Sequence, residues 1–109
     1  MSGKDPSLGI ENEGALDIDV ERRVEPPKRY KVLLHNDHYT TMEFVIFILT
    51  QVFRRTSEEA VQIMLHVHQK GMGVAGVYGY EIAETKVQKV TSLAKQQGFP
   101  LRCSMEPDQ

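Results

Sequence analysis

The stretch HNDHYTTMEF, which begins at His35, opens with four consecutive polar residues whose side chains can bind ligands or take part in catalysis. They are His35, Asn36, Asp37 and His38. Imidazole nitrogens and a carboxylate can bind a metal ion or act as general bases, whereas an amide and a carboxylate can also accept hydrogen bonds from a cation. The stretch therefore indicates either a catalytic or metal centre or a polar binding site.

The remaining residues give little support to a catalytic or metal centre. His66 and His68 fall in a segment with helical periodicity, where residues two apart point about 200° away from each other and cannot share one ion. The lone cysteine, Cys103, has no second thiol for a metal site or a disulfide. Serine or cysteine in an elbow motif and glycine-rich phosphate loops are also missing from the sequence. We expect no enzyme activity, no metal and no other cofactor.

The polar stretch lies between a segment typical of a strand and one typical of a helix. Residues 29–35, RYKVLLH, place apolar side chains on alternate positions, which favours a strand. Thr40 stands three residues before Glu43, the spacing of a capping box, and this predicts a helix from there to about Arg55. This helix is apolar around almost its whole circumference, so we expect it at the centre of the core.

Three further elements follow. Thr56 opens a second capping-box spacing and predicts a helix through about Lys70, with Gly71 as its C-terminal stop. Residues 72–79, MGVAGVYG, are typical of a strand whose glycines indicate a bulge or a close backbone approach. YEIAETKVQKVTSLAKQQG has helical spacing up to Gly98, and PLRCSME alternates as a half-buried strand. The order β-α-α-β-α-β predicts a small α+β domain, a three-stranded antiparallel sheet packed against three helices.

Charge is unevenly distributed along the chain. Residues 1–27 carry seven acidic and three basic side chains and no aromatic residue, so we expect a flexible acidic extension before a folded domain of residues 28–109. The rest has ten basic and eight acidic residues, too small an excess to favour a nucleic-acid partner. The longest apolar run, FVIFIL, is too short to span a bilayer and no signal-peptide pattern is present, so we expect no membrane partner and a cytoplasmic location.

Four motifs resemble those of a known family. HNDHYTTMEFVIFIL resembles the NDDYTPMEFV signature of ClpS, the family of adaptors that feed proteins to Clp AAA+ proteases. IMLHVHQKG resembles the second-helix motif of that family, GVYGYEIAETKV its strand and helix start, and FPLRCSMEP its last strand. The matches occur in order and cover Pro26 to about Pro107.

The resemblance implies an adaptor that binds proteins through a destabilising N-terminal residue, chiefly Leu, Phe, Tyr or Trp. A free α-amino group is a cation with three donors and no acceptor, so its site needs hydrogen-bond acceptors. The resemblance assigns the amine to these polar residues: Asn36, Asp37, His38, Thr40 and His68. It assigns the apolar side chain to a hydrophobic pocket: Met42, Val45, Met64, Val67 and Leu101.

The resemblance also implies a partner. Glu81 and Lys86, at the start of the third helix, are expected to dock onto the N-terminal domain of a Clp AAA+ ATPase of the ClpA or ClpC type. Two positions depart from the family signature. His38 stands where the family has a second Asp, so amine binding is expected to differ in strength, pH dependence or selectivity. Thr41 replaces Pro at the first helical residue, where proline is favoured but not required.

Two alternatives remain open from the residues alone. One is a metal-dependent hydrolase that uses His35, Asp37 and His38. The other is a non-degradative interaction domain, for example a ribosome-associated module of similar fold. Asn36 and Asp37 also have a simpler interpretation as turn residues that bond to nearby backbone. The apolar residues assigned to the pocket have a simpler interpretation as core.

Overall fold

A computed structural model describes residues 27–109, so all but the last residue of the predicted flexible extension lies outside the described residues. The elements in chain order are β1 (Arg29–His35), α1 (Met42–Gln51), α2 (Ser57–Lys70), β2 (Met72–Gly79), α3 (Tyr80–Gln97) and β3 (Arg102–Pro107). The strands form one antiparallel sheet in the order β2-β1-β3. The predicted α+β architecture and element order are confirmed. Across the described residues, helices are too short or too polar to cross a membrane.

The first helix begins with a different cap from the one predicted. Thr41 is the N-cap of α1, and its hydroxyl accepts a hydrogen bond from the backbone N–H of Phe44 at 3.1 Å. The capping role predicted for Thr40 is wrong: Thr41 takes it, and the Thr40 side chain is directed at Asp37, with its hydroxyl donating to the carboxylate. The polar loop is thereby fastened directly to the start of α1.

The first helix also ends earlier than the predicted limit of about Arg55. The chain leaves α1 after Gln51 and adopts a left-handed backbone at Arg54, where φ is 58°, which a continuing helix does not allow. Two long-range bonds hold this turn. Lys86 Nζ donates to the carbonyl of Val52 at 2.7 Å, and Arg55 Nε donates to the carbonyl of Ala75 at 2.9 Å.

The second helix follows the sequence prediction at both ends. Thr56 and Glu59 form a complete capping box, with the Glu59 backbone N–H bonded to the Thr56 hydroxyl at 3.1 Å and the Thr56 N–H bonded to the Glu59 carboxylate at 3.0 Å. Gly71 ends α2 in the left-handed conformation, with φ of 90°. These local signals fix both the length and the direction of the helix.

The glycine-rich strand contains both features that its composition predicted. Val32 pairs with Gly76 and Leu33 pairs with Val74, which leaves Ala75 as an extra residue and makes a bulge in β2. Earlier in the strand, a Cβ placed on Gly73 would lie 2.8 Å from Cγ2 of Val67. The close approach brings β2 against α2.

The core joins the sheet to the helices. Its largest fully buried side chains are Val32 and Leu34 of β1, Ile48 and Leu49 of α1, and Val90 of α3. Leu33, on the opposite face of β1, is buried as well, with 4% of its surface exposed. Three consecutive buried side chains therefore precede the polar loop and hold its first residues in place.

Candidate functional site

A cavity of about 490 Å³ lies between the loop that follows β1 and the C-terminal half of α2. Its lining residues are Asn36, Asp37, His38, Thr40, Met42, Val45, Met64, Val67 and His68. The cavity has a polar wall, formed by the loop and the end of α2, and an apolar wall, formed by the facing sides of the two helices. Nine of the ten side chains that the resemblance assigned to amine binding or the hydrophobic pocket meet here.

The tenth side chain, Leu101, is placed differently. It is 6% exposed, belongs to the core and is not among the residues that line the cavity. Val45, Met64 and Val67 belong to the same buried cluster. Leu101 therefore supports the apolar wall from within the core.

The carboxylate of Asp37 is held by three hydrogen bonds from its own loop. Oδ1 accepts from the backbone N–H of Tyr39 at 2.8 Å and of Thr40 at 2.7 Å, and Oδ2 accepts from the Thr40 hydroxyl at 2.7 Å. Asp37 is thus a turn residue, as its sequence position alone suggested, and it also lines the cavity. The turn role and the binding role of Asp37 are compatible, because the turn fixes the carboxylate at the cavity wall.

These bonds keep Asp37 ionised. Partial burial acts to raise the pKa of Asp37, but the backbone and hydroxyl bonds from Thr40, the Tyr39 N–H and the nearby His38 outweigh it and lower the pKa below its ordinary value. A carboxylate that stays charged in acid is suited to hold a cation.

One backbone bond joins the two sides of the polar wall. The N–H of Asn36 donates to the carbonyl of Gly71 at 2.9 Å, which connects the end of β1 to the residue that ends α2. The side chains of Asn36 and His68 are exposed. On α2, Met64, Val67 and His68 have i, i+3 and i+4 spacing, so they share one face and bring an apolar wall and a ring nitrogen to the same cavity.

The ring of His68, near the C-terminal end of α2, is exposed at the cavity. His38 is exposed as well and lies in the loop next to Asp37. Both rings are therefore accessible to a molecule that enters the cavity.

The structure does not bring together the residues of the hydrolase alternative. His35 lies outside the cavity lining, and its Nε2 lies 2.7 Å from Oγ of Ser104 across the β1–β3 pair. Burial and the neighbouring Arg102 guanidinium lower the pKa of His35, against a weaker opposing effect of Glu106. Among residues 27–109, no group of three His, Cys, Asp or Glu side chains is placed to hold a metal ion.

A second cavity contains both residues assigned to the partner ATPase. We call it the α1–α3 cleft; it has a volume of about 400 Å³ and is lined by Gln51, Val52, Arg54, Glu81, Ile82, Thr85, Lys86 and Lys89. Glu81 is exposed, whereas Lys86 is half-buried, bonded to the Val52 carbonyl and 5.4 Å above the ring of Tyr78. Lys86 therefore has a structural role in addition to any docking role.

Sequence reasoning missed several residues of this cleft. Ile82 is 56% exposed, and Arg54 and Lys89 are also exposed. Glu81, Thr85 and Lys89 have i, i+4 spacing and so share one side of α3, and this pattern could have predicted that Thr85 and Lys89 lie beside Glu81. Arg54 had no such signal, because it reaches the cleft through the turn that ends α1.

Comparison with known proteins identifies the family. Residues 25–104 match the family model described as ATP-dependent Clp protease adaptor protein ClpS. The chain belongs to the ClpS family. The resemblance seen in its four sequence motifs is confirmed, and the chain is an adaptor of a Clp protease.

Similar proteins of the ClpS family extend over almost the whole chain. The ATP-dependent Clp protease adapter protein ClpS of Lawsonia intracellularis is 56% identical over 97 residues, which are 89% of this chain and 89% of that protein. The protein of the same name from Nitratidesulfovibrio vulgaris (strain DSM 19637 / Miyazaki F) is 53% identical over 104 residues, 95% of this chain and 94% of that one. The solved structure of Agrobacterium tumefaciens ClpS2 bound to L-phenylalaninamide has a TM-score of 0.73 and 43% identity, and covers 76% of this chain and 100% of that chain.

Proposed function

We propose that this adaptor recognises proteins by their N-terminal residue, binding the free α-amino group at the polar wall of the 490 Å³ cavity and a Leu, Phe, Tyr or Trp side chain at its apolar wall. The observation that carries this proposal is that one cavity holds both walls. A site for a peptide segment in general would have no need of a held carboxylate beside an apolar surface.

The polar wall offers acceptors suited to an ammonium group. The ligand has three N–H donors and one positive charge. Asp37 supplies a carboxylate with a lowered pKa, Asn36 supplies an amide oxygen, and His68 supplies a ring nitrogen when the ring is neutral. An N-acetylated chain has lost both the charge and two of the donors, so it should be excluded.

The apolar wall and the polar wall both contribute to the binding free energy. Burying an aromatic side chain of about 150–250 Å² contributes roughly 4–6 kcal/mol, and each charge-assisted hydrogen bond contributes about 1.5–3 kcal/mol. Losses of rotational and side-chain freedom offset much of this sum. The balance corresponds to a dissociation constant on the order of micromolar. Met42 and Met64 suit such a wall, because a thioether chain adapts to both branched and flat side chains.

The ligand of the related structure supports this assignment. Agrobacterium tumefaciens ClpS2, 43% identical to this chain, is bound to L-phenylalaninamide. That molecule has a free α-amino group, a benzyl side chain and an uncharged amide where a peptide chain would continue. It therefore presents the same two chemical groups for which the cavity has walls.

Delivery is proposed to use the α1–α3 cleft. Glu81 and Lys86 dock onto the N-terminal domain of a Clp ATPase of the ClpA or ClpC type, and the adaptor works in the cytoplasm beside that ATP-dependent partner. The cleft and the cavity have no lining residue in common. Substrate and ATPase can therefore be held at the same time.

The test is a titration of fluorescent peptides that begin with Phe, Leu, Ile or Ala, together with an N-acetylated Phe peptide. We expect Phe and Leu to bind, Ile to bind more weakly because its extra branch lies next to the backbone, and Ala and the acetylated peptide to fail. Equal binding of the acetylated peptide would refute recognition of the amine. Failure of every peptide, with retained binding to a large protein partner, would favour the non-degradative interaction domain.

A further inference from the structure

His38 is the polar residue of the cavity to which the proposed function gives no role. In that proposal the ammonium group is held by Asn36, Asp37 and His68. His38 lies in the same loop, lines the same cavity and is exposed. Its ring is therefore accessible to a part of the bound molecule other than the amine.

The chemistry of an imidazole ring suits a carboxylate better than it suits an ammonium group. A neutral ring has one acceptor and one N–H donor, and a protonated ring has two donors and a positive charge that repels a cation. An ammonium group has no acceptor, so it cannot use the N–H donor that both forms of the ring carry. A carboxylate accepts from the ring in either form.

The charges of the cavity lining favour an acidic group once the amine is bound. Among the described residues that line the cavity, Asp37 is the one acid, and none is Lys or Arg. The bound ammonium neutralises Asp37, which leaves His38 and His68 as the other titratable groups of the lining. Glu43 in the first turn of α1 and Lys70 in the last turn of α2 lie outside the lining and are one charge of each sign. No carboxylate of the lining is then left to repel a second acid.

The second residue of a bound chain begins within reach of His38. Consecutive Cα atoms are 3.8 Å apart and the α-nitrogen lies about 1.5 Å from the first Cα, so the second Cα is at most about 5 Å from the amine. His38 directly follows Asp37, the residue proposed to hold that amine. Although burial acts to raise the pKa of Asp37, the His38 ring is one of the groups that lower it. The ring is thus close enough for its charge to act on the carboxylate that binds the amine.

The other donors of the loop are already engaged. The N–H groups of Tyr39 and Thr40 and the Thr40 hydroxyl all donate to the carboxylate of Asp37. The side-chain donors of the loop that remain in the cavity lining are the amide of Asn36 and the ring of His38. Of these two, His38 alone can also carry a positive charge.

We propose that His38 selects substrates whose second residue is acidic, its ring N–H donating to the Asp or Glu carboxylate of a chain that begins with Leu, Phe, Tyr or Trp. This inference rests on the proposed function and names the class of substrate within it. The expected preference over an uncharged second residue is severalfold at low salt, because charged contacts at exposed sites are weak and are screened by salt.

The test compares two peptides that differ at the second position alone, Phe-Asp and Phe-Asn. Each is amidated at its C-terminus, so that the second side chain carries the only additional carboxylate. We expect the wild type to bind Phe-Asp severalfold more tightly than Phe-Asn in a low-salt buffer at neutral pH. The preference should shrink in about 1 M salt, where the Debye length is about 3 Å. Equal affinities for the two peptides at low salt would overturn the proposal.

A matched pair of variants separates His38 from the overall charge of the protein. His38→Asp places a carboxylate at the cavity and should reverse the preference, so that Phe-Asn binds more tightly than Phe-Asp. His66→Asp makes the same change at an exposed residue of α2 outside the cavity lining and should keep the wild-type ratio. Because each ratio compares two peptides on one protein, a general change in amine binding cancels. Ratios that change equally in the two variants would overturn the role of His38.

Direct contact is measured by NMR of the His38 ring nitrogens during titration with each peptide. We expect their chemical shifts to move further with Phe-Asp than with Phe-Asn, and equal movement would contradict a bond to the second side chain. An N-acetylated Phe-Asp peptide separates this inference from the proposed function. If that peptide binds as tightly as the unblocked one, recognition of the amine fails and this inference fails with it. If it is excluded while Phe-Asp and Phe-Asn bind equally, the inference alone fails.

Discussion

Thr40 donates two hydrogen bonds to one carboxylate, from its backbone N–H to Oδ1 of Asp37 and from its hydroxyl to Oδ2, each at 2.7 Å. The Tyr39 N–H adds a second bond to Oδ1. An ionised carboxylate has about four acceptor positions, so one remains for a ligand. The position of the Asp37 charge in the cavity is therefore set by Thr40, and the free acceptor belongs to Oδ2, the oxygen that Thr40 Oγ1 orients.

Replacing Thr40 with Val should weaken the binding of a Phe peptide and raise the pKa of Asp37 toward its ordinary value. The change removes one hydroxyl donor with little change in volume and leaves the backbone bond in place. A bond to a charged group contributes about 1.5–3 kcal/mol. Because Thr40 acts on the ligand only through the position of Asp37, part of this is felt in binding, and we expect roughly a two- to tenfold loss in affinity. Peptide fluorescence anisotropy and a carbon-13 titration of the Asp37 carboxyl group measure the two effects.

The matched control for this substitution is Thr91→Val. Thr91 lies on α3 and donates its hydroxyl to the carbonyl of Val87 at 2.9 Å, outside the cavity lining. It should change neither the affinity nor the pKa of Asp37. If Thr40→Val bound the peptide as tightly as this control, the hydroxyl would have no part in positioning the carboxylate.

The lowered pKa of Asp37 also predicts a dependence of stability on pH. Because the folded pKa lies below the unfolded value of about 3.8, the ionised group stabilises the fold fully above pH 3.8, and this stabilisation is lost as pH falls through the folded pKa. Wild type should therefore be more stable than Asp37→Asn at pH 6, and the difference should shrink as pH falls below about 3.8. Urea unfolding at each pH measures it, and a constant difference would contradict the assignment.

Local signals in the sequence predicted the start of α2 better than the start of α1, because two adjacent threonines could each cap α1. At the start of α2, the Thr56 hydroxyl accepts from the Glu59 N–H, and the Glu59 carboxylate accepts from the Thr56 N–H. At the start of α1 two adjacent threonines are both suitable caps. The spacing rule chose Thr40, but the Thr40 side chain is directed at Asp37, to which its hydroxyl donates, and the Thr41 hydroxyl accepts from the Phe44 N–H. Spacing alone does not rank two such competing bonds.

The residues that line the two cavities were hard to predict from local patterns, because residues far apart in the sequence meet there. The residues of the polar loop and of α2 were assigned only through the family motifs, because about thirty residues separate them and no periodicity links them. Lys86 and Val52 are 34 residues apart, and the bond between them has no local signal at all. The family resemblance predicted a docking role for Lys86, which stays a prediction, and gave no indication of its structural bond.

Replacing Lys86 with Met should destabilise the fold by about 1.5–3 kcal/mol, the range for a hydrogen bond that involves a charged group. The substitution keeps the aliphatic stem and removes the donor to the Val52 carbonyl, leaving that carbonyl unpaired at the end of α1. Lys89→Met is the control, because Lys89 is exposed on the same helix and lines the same cleft. Equal midpoints of the two variants in urea would show that the bond contributes nothing measurable.

Gly73→Ala should narrow the 490 Å³ cavity, because Gly73 packs against the far side of α2. The added methyl group would lie 2.8 Å from Cγ2 of Val67 and 3.1 Å from the ring of His66, so α2 or the Val67 side chain must shift. Overpacking of this kind costs about 1–3 kcal/mol of stability, and because Val67 lines the apolar wall, the affinity for Phe and Leu peptides should fall as well. Gly79→Ala is the control, since a Cβ at Gly79 meets no atom within 4 Å. Unchanged peptide affinity in a Gly73→Ala protein that is measurably destabilised would show that Val67 does not contact the bound side chain.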